Sequence, residues 1–183
     1  LLVVDSSNGT AKLYIDGEKN AESTNYQDAT EYGDATEIKI GGSDDWGKYW
    51  NGYIQDVRIY RRKLSPQEAQ VLYEQGNNDY SDPNLSNGND SGAISRWKFD
   101  GDSDTSIATD SWSSNNGTVN GPAFKSDSIR SGKSLSFDGS DDYVEFSSTP
   151  FETGSSASFS CWWKTTDIGD KQPLFYLYGS DEF

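Results

Sequence analysis

NGYIQDVRIYRRKLSPQEAQVLYEQG, Asn51 to Gly76, changes period halfway along. Its first part, GYIQDVRIYR, is rich in β-branched and aromatic residues and reads as a strand. Its second part, LSPQEAQVLYEQG, has the marks of a helix. Ser65 is a good N-cap, Pro66 suits the first helical position, Glu68 completes a capping box and Gly76 can close the C-terminus. Leu64 before the cap and Ala69 inside it can form a small staple. No other stretch of the chain reads convincingly as a helix, so the rest of the fold has to be assembled from strands.

Working outward in both directions, short apolar runs alternate with clusters of Gly, Asn and Asp. LLVVD, TAKLYIDG and TEIKIGG precede the opening stretch, and AISRWKFD, KSLSFDG, DYVEF, ASFSCWWKT and PLFYLYG follow it. Spacings of about 8 to 12 residues between turn signals are those of an antiparallel sandwich or barrel. SSNGT (Ser6 to Thr10) places Asn8-Gly9, a favoured tight-hairpin dipeptide, between two strands, and SSNNGT (Ser113 to Thr118) predicts the same device. The predicted fold class is all-β, two antiparallel sheets with one short helix near 65–76.

After the helix, NNDYSDPNLSNGNDSG has almost no apolar side chain to bury, which makes 77–92 a polar linker or long surface loop. It divides the chain into 1–76, with about four strands and the helix, and 93–183, with about five strands. A half of either kind standing alone would leave unpaired strand edges and one apolar sheet face in water. Something must complete each of them.

LYIDG (Leu13 to Gly17), IKIGG (Ile38 to Gly42) and the opening stretch together resemble the closing half of a laminin G-like domain. That family belongs to the concanavalin A-like jelly-roll superfamily. WKFDGDSDTSIATDSWSSNNGTVNGPAF (Trp97 to Phe124), SGKSLSFDGSDDYVEF (Ser131 to Phe146) and SASFSCWWK (Ser156 to Lys164) resemble its opening half. The order is inverted, closing half before opening half. The resemblance implies one or two further strands between the segment ending at Phe183 and the one starting at Leu1. Two arrangements fit. In one the chain is a window on tandem repeats completed by neighbouring copies, which the abrupt strand at each end favours. In the other it is a circular permutant that closes on itself. An array completing its sheets between copies would be a filament or stalk.

Composition narrows the partners. The formal charge is -15 and there is no His. A surface this acidic repels phosphate backbones and anionic lipid, so nucleic acid is excluded as a partner. No apolar run approaches the ~20 residues that cross a bilayer, which argues against membrane insertion. Abundant Asp, Ser, Asn and Gly is typical of turn-rich secreted β proteins and points to an extracellular or cell-surface setting. The single Cys161 permits no internal disulfide and reads as a small core residue. Sequons at Asn8, Asn84, Asn89 and Asn116 are a weak signal in a chain so rich in Asn, Ser and Thr.

The chemistry expected is binding and not catalysis. Glucanases of the superfamily that the chain resembles carry paired acids along one strand, where alternation puts them on one face. No such run occurs here, and the acid pairs Asp44-Asp45 and Asp141-Asp142 read as turn residues. Absence of His removes the commonest general base. Hard cations want several oxygens from flexible turns, which GGSDDWG (Gly41 to Gly47), FDGDSDTSIATDS (Phe99 to Ser111) and GSDEF (Gly179 to Phe183) could supply. Resemblance to the pentraxin branch implies calcium at Asp44 or Asp45 together with Asp181. The second acid of the first turn, however, falls nearer Ser43. A pyranose needs an aromatic platform with polar neighbours. DWGKYWNG puts Trp46, Tyr49 and Trp50 in one loop, where some pack beneath and the rest can stack. On ASFSCWWKT, Phe159, Cys161 and Trp163 share the core face, leaving Trp162 on the other. The expected function is a non-catalytic laminin G-like adhesion repeat that binds glycan or glycoprotein. The alternative is a structural repeat whose partners are neighbouring copies of the same chain.

Overall fold

The computed structural model describes residues 1–24, 35–43, 47–75, 92–100, 105–126, 129–130, 132–146, 148, 155–167 and 171–179. Of the linker expected at 77–92, only Gly92 is described. The first segment forms β1 (Leu2–Asp5), β2 (Thr10–Ile15), β3 (Glu18–Ser23), β4 (Ala35–Ile40), β5 (Gly42–Ser43), β6 (Lys48–Tyr49), β7 (Asn51–Tyr60) and α1 (Pro66–Gln75). The second forms β8 (Ala93–Trp97), β9 (Ile107–Ala108), β10 (Gly117–Asn120), β11 (Ala123–Lys125), β12 (Ser134–Asp138), β13 (Tyr143–Phe146), β14 (Ala157–Lys164) and β15 (Phe175–Gly179).

These strands make two antiparallel sheets and a small hairpin, the all-β jelly-roll class expected. One sheet runs β11-β12-β7-β14-β1-β2-β3, the other β15-β4-β13-β10-β9, and β5 pairs with β6. The ten-residue β7 organises the first sheet. One of its edges is filled by β14. Its other edge is shared, β12 pairing with the first part (Asn51 to Ile54) and β8 with the last (Val57 to Tyr60). In the second sheet β4 lies between β13 and β15. Strands of the 1–76 segment therefore pair directly with strands of the 93–183 segment in both sheets, β7 and β4 each lying between strands of the later segment.

A bulge on β7 sets which side chains face inward. Ser160 pairs with Arg58 and Trp162 with Gln55, so Cys161 stands opposite two residues, Asp56 and Val57. Asp56 takes the extra position with φ of 50°, the left-handed region in which Asp and Asn are tolerated better than most residues. Strict alternation would put Ile54 and Val57 on opposite faces. The added residue returns them to the same one, and Ile54, Val57 and Ile59 all enter the core between the sheets. There they meet Ile38, Ile40, Trp97, Leu135, Phe137, Val144, Phe146 and Phe159, with Trp97 and Phe146 rings 4.2 Å apart. Complete burial of such a side chain stabilises the fold by about 1.5–3 kcal/mol.

The outer face of the first sheet is covered by α1 over a second cluster, Val3, Tyr14, Tyr60, Leu64 and Ala69. The capping box forms as expected. Ser65 N donates to Glu68 Oε2 at 2.8 Å, and Glu68 N donates to Ser65 Oγ at 3.2 Å. Arg62 holds the other Glu68 oxygen at 2.7 Å. The proposed closing residue, Gly76, lies outside the described residues. No described helix is long and apolar enough to cross a membrane.

Both predicted hairpin turns differ from expectation. Asp5 pairs with Thr10, so the β1–β2 loop spans four residues, not two, with Gly9 at φ of 62°. Asp5 Oδ1 closes it by accepting from Ser7 N at 3.1 Å and Ser7 Oγ at 2.5 Å. SSNNGT runs from the loop of the β9–β10 hairpin into β10; that loop spans 109–116 and is not a two-residue turn. Asp110 Oδ1 accepts from the N–H groups of Arg96, Trp112 and Ser113, drawing the chain into a wide turn. Asn115 and Asn116 are spent in it on Ser95 Oγ and on Asp110 N. Strand β3, EKNAES, was missed because every residue in it is exposed. It is an edge held by ladder bonds to β2 and protected by Glu18, Lys19 and Glu22.

Candidate functional site

Between α1 and the outer face of the first sheet lies a cavity of about 190 Å³. Its position follows from one close approach. Gly17, in the β2–β3 turn with φ of 81°, lies so near α1 that a Cβ there would stand 3.2 Å from Gln70 Cα and Tyr73 Cβ. Glycine seats one end of the helix against the turn. The space beside this contact, where β14 passes under the helix, is not filled by side chains.

Aromatic rings form one part of the wall. Trp162, on the outer face of β14, meets Tyr73 of α1 with ring centroids 5.7 Å apart and planes inclined by 31°. Arg130 lies across them, its guanidinium 4.0 Å from the Trp162 centroid and 5.8 Å from that of Tyr73. Two hydrogen bonds fix it there. Arg130 N donates to Oε1 of the buried Gln55 at 3.0 Å, and Arg130 Nη2 donates to the Tyr73 carbonyl at 3.0 Å. Cation–π contacts of this kind contribute about 0.5–1 kcal/mol when exposed and more when desolvated.

Polar groups form the rest. Asp56 and Arg58, aimed outward by the bulge, line the cavity together with Asp16 and Ser160. Asp56 is 3% exposed and Arg58 8%. Arg58 Nε and Nη2 donate to Asp56 Oδ2 at 3.1 and 2.5 Å. From β8, Arg96 Nε donates to Asp56 Oδ1 at 2.6 Å. Burial alone would raise the Asp56 carboxyl; Arg58 and Arg96 outweigh it and hold Asp56 below the ordinary carboxylate value. Burial likewise works against the Arg58 charge and is outweighed by Asp56, so Arg58 stays protonated throughout the ordinary range. Two cations around one carboxylate satisfy the requirement that buried charges be paired. Cys161 also lines the cavity, but burial pushes its thiol up to about 12. It is not a reactive nucleophile at neutral pH.

The aromatic loop is built differently. Trp50 is 5% exposed, its backbone N–H donating to the Gly41 carbonyl at 2.7 Å and its ring meeting Trp163 edge-on at 5.7 Å. It is the residue that packs beneath the loop, so it presents no platform. Tyr49, on β6, is partly buried and crowds Gly42 of β5, where a Cβ would stand 3.0 Å from the Tyr49 ring and 2.8 Å from Tyr143 Cβ. Trp46, Asp44, Asp45 and Asp181 lie outside the described residues. Phe159 and Cys161 pack toward the inter-sheet core, while Trp163 is 42% exposed at the end of its strand.

An acid cluster does occur among the described residues, at a turn read in sequence only as solvated. Asp138, Asp141 and Asp142 bring carboxylate oxygens within 4.8 Å of one another where the chain crosses from β12 to β13. Asp142 is 6% exposed and accepts from Asp138 N at 2.8 Å. Burial, with the charges of Asp138 and Asp141 adding to it against that bond, raises its carboxyl above the ordinary value. Three such oxygens suit a hard cation in type, though two of the acids are exposed.

Sequence reasoning thus put Trp162 on the outer face of its strand, where it lies, and did not single out the residues around it. Tyr73 read as one more helix residue, and Asp56 and Arg58 as strand positions of unknown facing. Nothing in the loop preceding β12 singled out Arg130.

Comparison with known proteins gives one match. Residues 1–70 match a laminin G family model, described as the concanavalin A-like lectin/glucanases superfamily. No curated protein and no solved structure matches the chain.

Proposed function

We propose that this chain, a concanavalin A-like β sandwich whose residues 1–70 are laminin G-like, is a non-catalytic carbohydrate- or glycoprotein-binding module. In this reading it works outside the cell as an adhesion repeat of a larger surface protein. One observation carries the reading: the cavity in which Trp162 and Tyr73 stand over the polar groups of Asp56, Arg58 and Ser160. A pyranose has an apolar face and a rim of hydroxyls, and it is recognised by an aromatic surface with a few placed polar groups. At about 190 Å³ the cavity is below the ~300–1,000 Å³ of drug-sized pockets, a size that suits one ring of a longer glycan.

The superfamily includes glycosidases, but the carboxylates of this cavity argue for binding. A glycosidase needs one carboxyl protonated as general acid and a second ionised. Asp56 is held ionised between two arginines, which supports a structural role for it. Calcium at Asp44, Asp45 and Asp181 is part of the proposal.

Isothermal titration of a mono- and oligosaccharide panel, with and without chelator, tests this. Heat of binding at millimolar sugar that disappears in Trp162→Ala is expected, and loss of heat on adding chelator would support the calcium. A panel that gives no heat at millimolar sugar overturns the reading.

A second reading has its own observation. Every strand neighbour of β7 comes from the 93–183 segment, and the same pairings made between copies would build a filament or stalk. Light scattering decides. Mass growing with concentration supports it, whereas a compact monomer with intact sheets contradicts it.

A further inference from the structure

Five Asn-Gly pairs occur in the chain, and the fold treats them unequally. In such a pair the amide nitrogen of glycine can attack the asparagine side-chain carbonyl, because no Cβ blocks the approach. Attack is easiest where that nitrogen is not tied into a ladder and where the carbonyl oxygen has a donor to take up its charge.

Asn8-Gly9 meets both conditions. It lies in the four-residue loop between β1 and β2, beyond the last ladder pair, Asp5 and Thr10. Asn8 is exposed, and Gly9 N makes no hydrogen bond among the described residues. Thr10 Oγ1 donates to Asn8 Oδ1 at 2.8 Å, so a hydroxyl already stands where negative charge develops during attack. The other described pairs are held. Gly52 is paired with Phe137 and Gly117 with Ala108. Gly117 is also buried, where a Cβ would stand 2.4 Å from the Phe146 ring, and Asn116 Oδ1 is engaged by Asp110 N at 2.9 Å. Asn120 is paired with Tyr143, and Gly121 is crowded by the Asp142 carboxyl, which a Cβ would meet at 2.0 Å. Asn87-Gly88 lies outside the described residues.

We propose that Asn8 is a self-modifying site, the one among the described pairs that the fold leaves open to deamidation. Gly9 N bonds to Asn8 Cγ, the Cγ–Nδ2 bond breaks, and ammonia leaves with the proton from Gly9 N, closing a five-membered imide. Water then opens either imide carbonyl. One opening gives aspartate and the other isoaspartate, whose main chain runs through the former side chain. Water is the sole co-reactant. Either product puts a further negative charge in the loop that Asp5 closes, and isoaspartate also adds a carbon to its main chain. The charge and shape of this loop therefore change with time after synthesis, while the ladders on either side do not.

Peptide mapping by mass spectrometry tests this on the full chain, made in a host that attaches no sugar at Asn8-Gly9-Thr10 and incubated at neutral pH. Asn8 should convert at least about tenfold faster than Asn51, Asn116 or Asn120, with both products resolved. In urea the four rates should converge, because the fold is what separates them. Equal rates in the folded chain, or an Asn8 that stays intact, would overturn the proposal. So would an excess at Asn8 that persists in urea, since local sequence and not the structure would then set it.

Discussion

Asp56 is the residue on which the outer face of the first sheet depends. It accepts a left-handed backbone, which costs about 1–2 kcal/mol for a residue with a Cβ, and it is the counter-ion of two buried arginines. Asn tolerates the same backbone and nearly the same shape, so Asp56→Asn isolates the charge. It should destabilise the chain by about 3–5 kcal/mol in urea unfolding at neutral pH, because two buried arginines lose the carboxylate charge that balances them. A carboxyl held low in the folded state contributes its full stability above the unfolded value, near 3.8. That contribution is lost as pH falls through the lower folded value. The gap between wild type and Asp56→Asn is therefore expected to be constant from neutral pH down to about 5 and to close at lower pH. A gap independent of pH would show that the carboxylate charge is not what matters. None of this was legible beforehand. IQDVRIY identifies a strand, but period-two reading assumes that no residue is added, and the added one decides which way Asp56 and Arg58 point.

At the scale of the element, the helix and the strand beneath it make the cavity together. Ser65→Ala removes one capping bond and should cost about 1 kcal/mol. Gly17→Ala meets both a positive φ and the helix backbone, and about 1–2 kcal/mol is expected from the backbone conformation alone. The two should separate in function: loosening the helix end by way of Gly17 disturbs Tyr73 directly, so sugar affinity should fall more in Gly17→Ala than in Ser65→Ala. Equal affinities in both variants would mean that the helix position does not shape the site. The helix was readable because its signals are local, a cap at Ser65, a proline at Pro66 and a glutamate at Glu68. Apolar strands such as β4, β7, β13 and β14 were readable from their own residues. β3 and the short β9, β10 and β11 were not, since a strand that buries little is specified by the neighbour it pairs with. Trp162 could be assigned to the outer face because CWW leaves two indoles on opposite sides, and the inner one is fixed by Phe159 and Cys161.

At the scale of the whole molecule, the strands of the two segments interleave within the sheets. β7 has partners from the later segment on both edges and β4 lies between two more. A protease recognition sequence inserted between Asn84 and Leu85 and then cut should leave the two pieces associated. They should elute as one species and unfold in one transition; two separating species would contradict the interleaved sheets. The resemblance to a laminin G-like segment was legible because LYIDG, IKIGG and the strand-helix run lie together within the first 76 residues, where residues 1–70 match the family model. It could not show the cavity, whose walls come from β2, β7, α1 and β14, elements far apart in sequence. The most direct test of the site is an NMR titration that follows the indole N–H signals of the six tryptophans as each sugar of the mono- and oligosaccharide panel is added. The account predicts that Trp162 shifts in a saturable way while the core Trp97 stays in place. Shifts confined to Trp46 in the aromatic loop, or none at millimolar sugar, would contradict it.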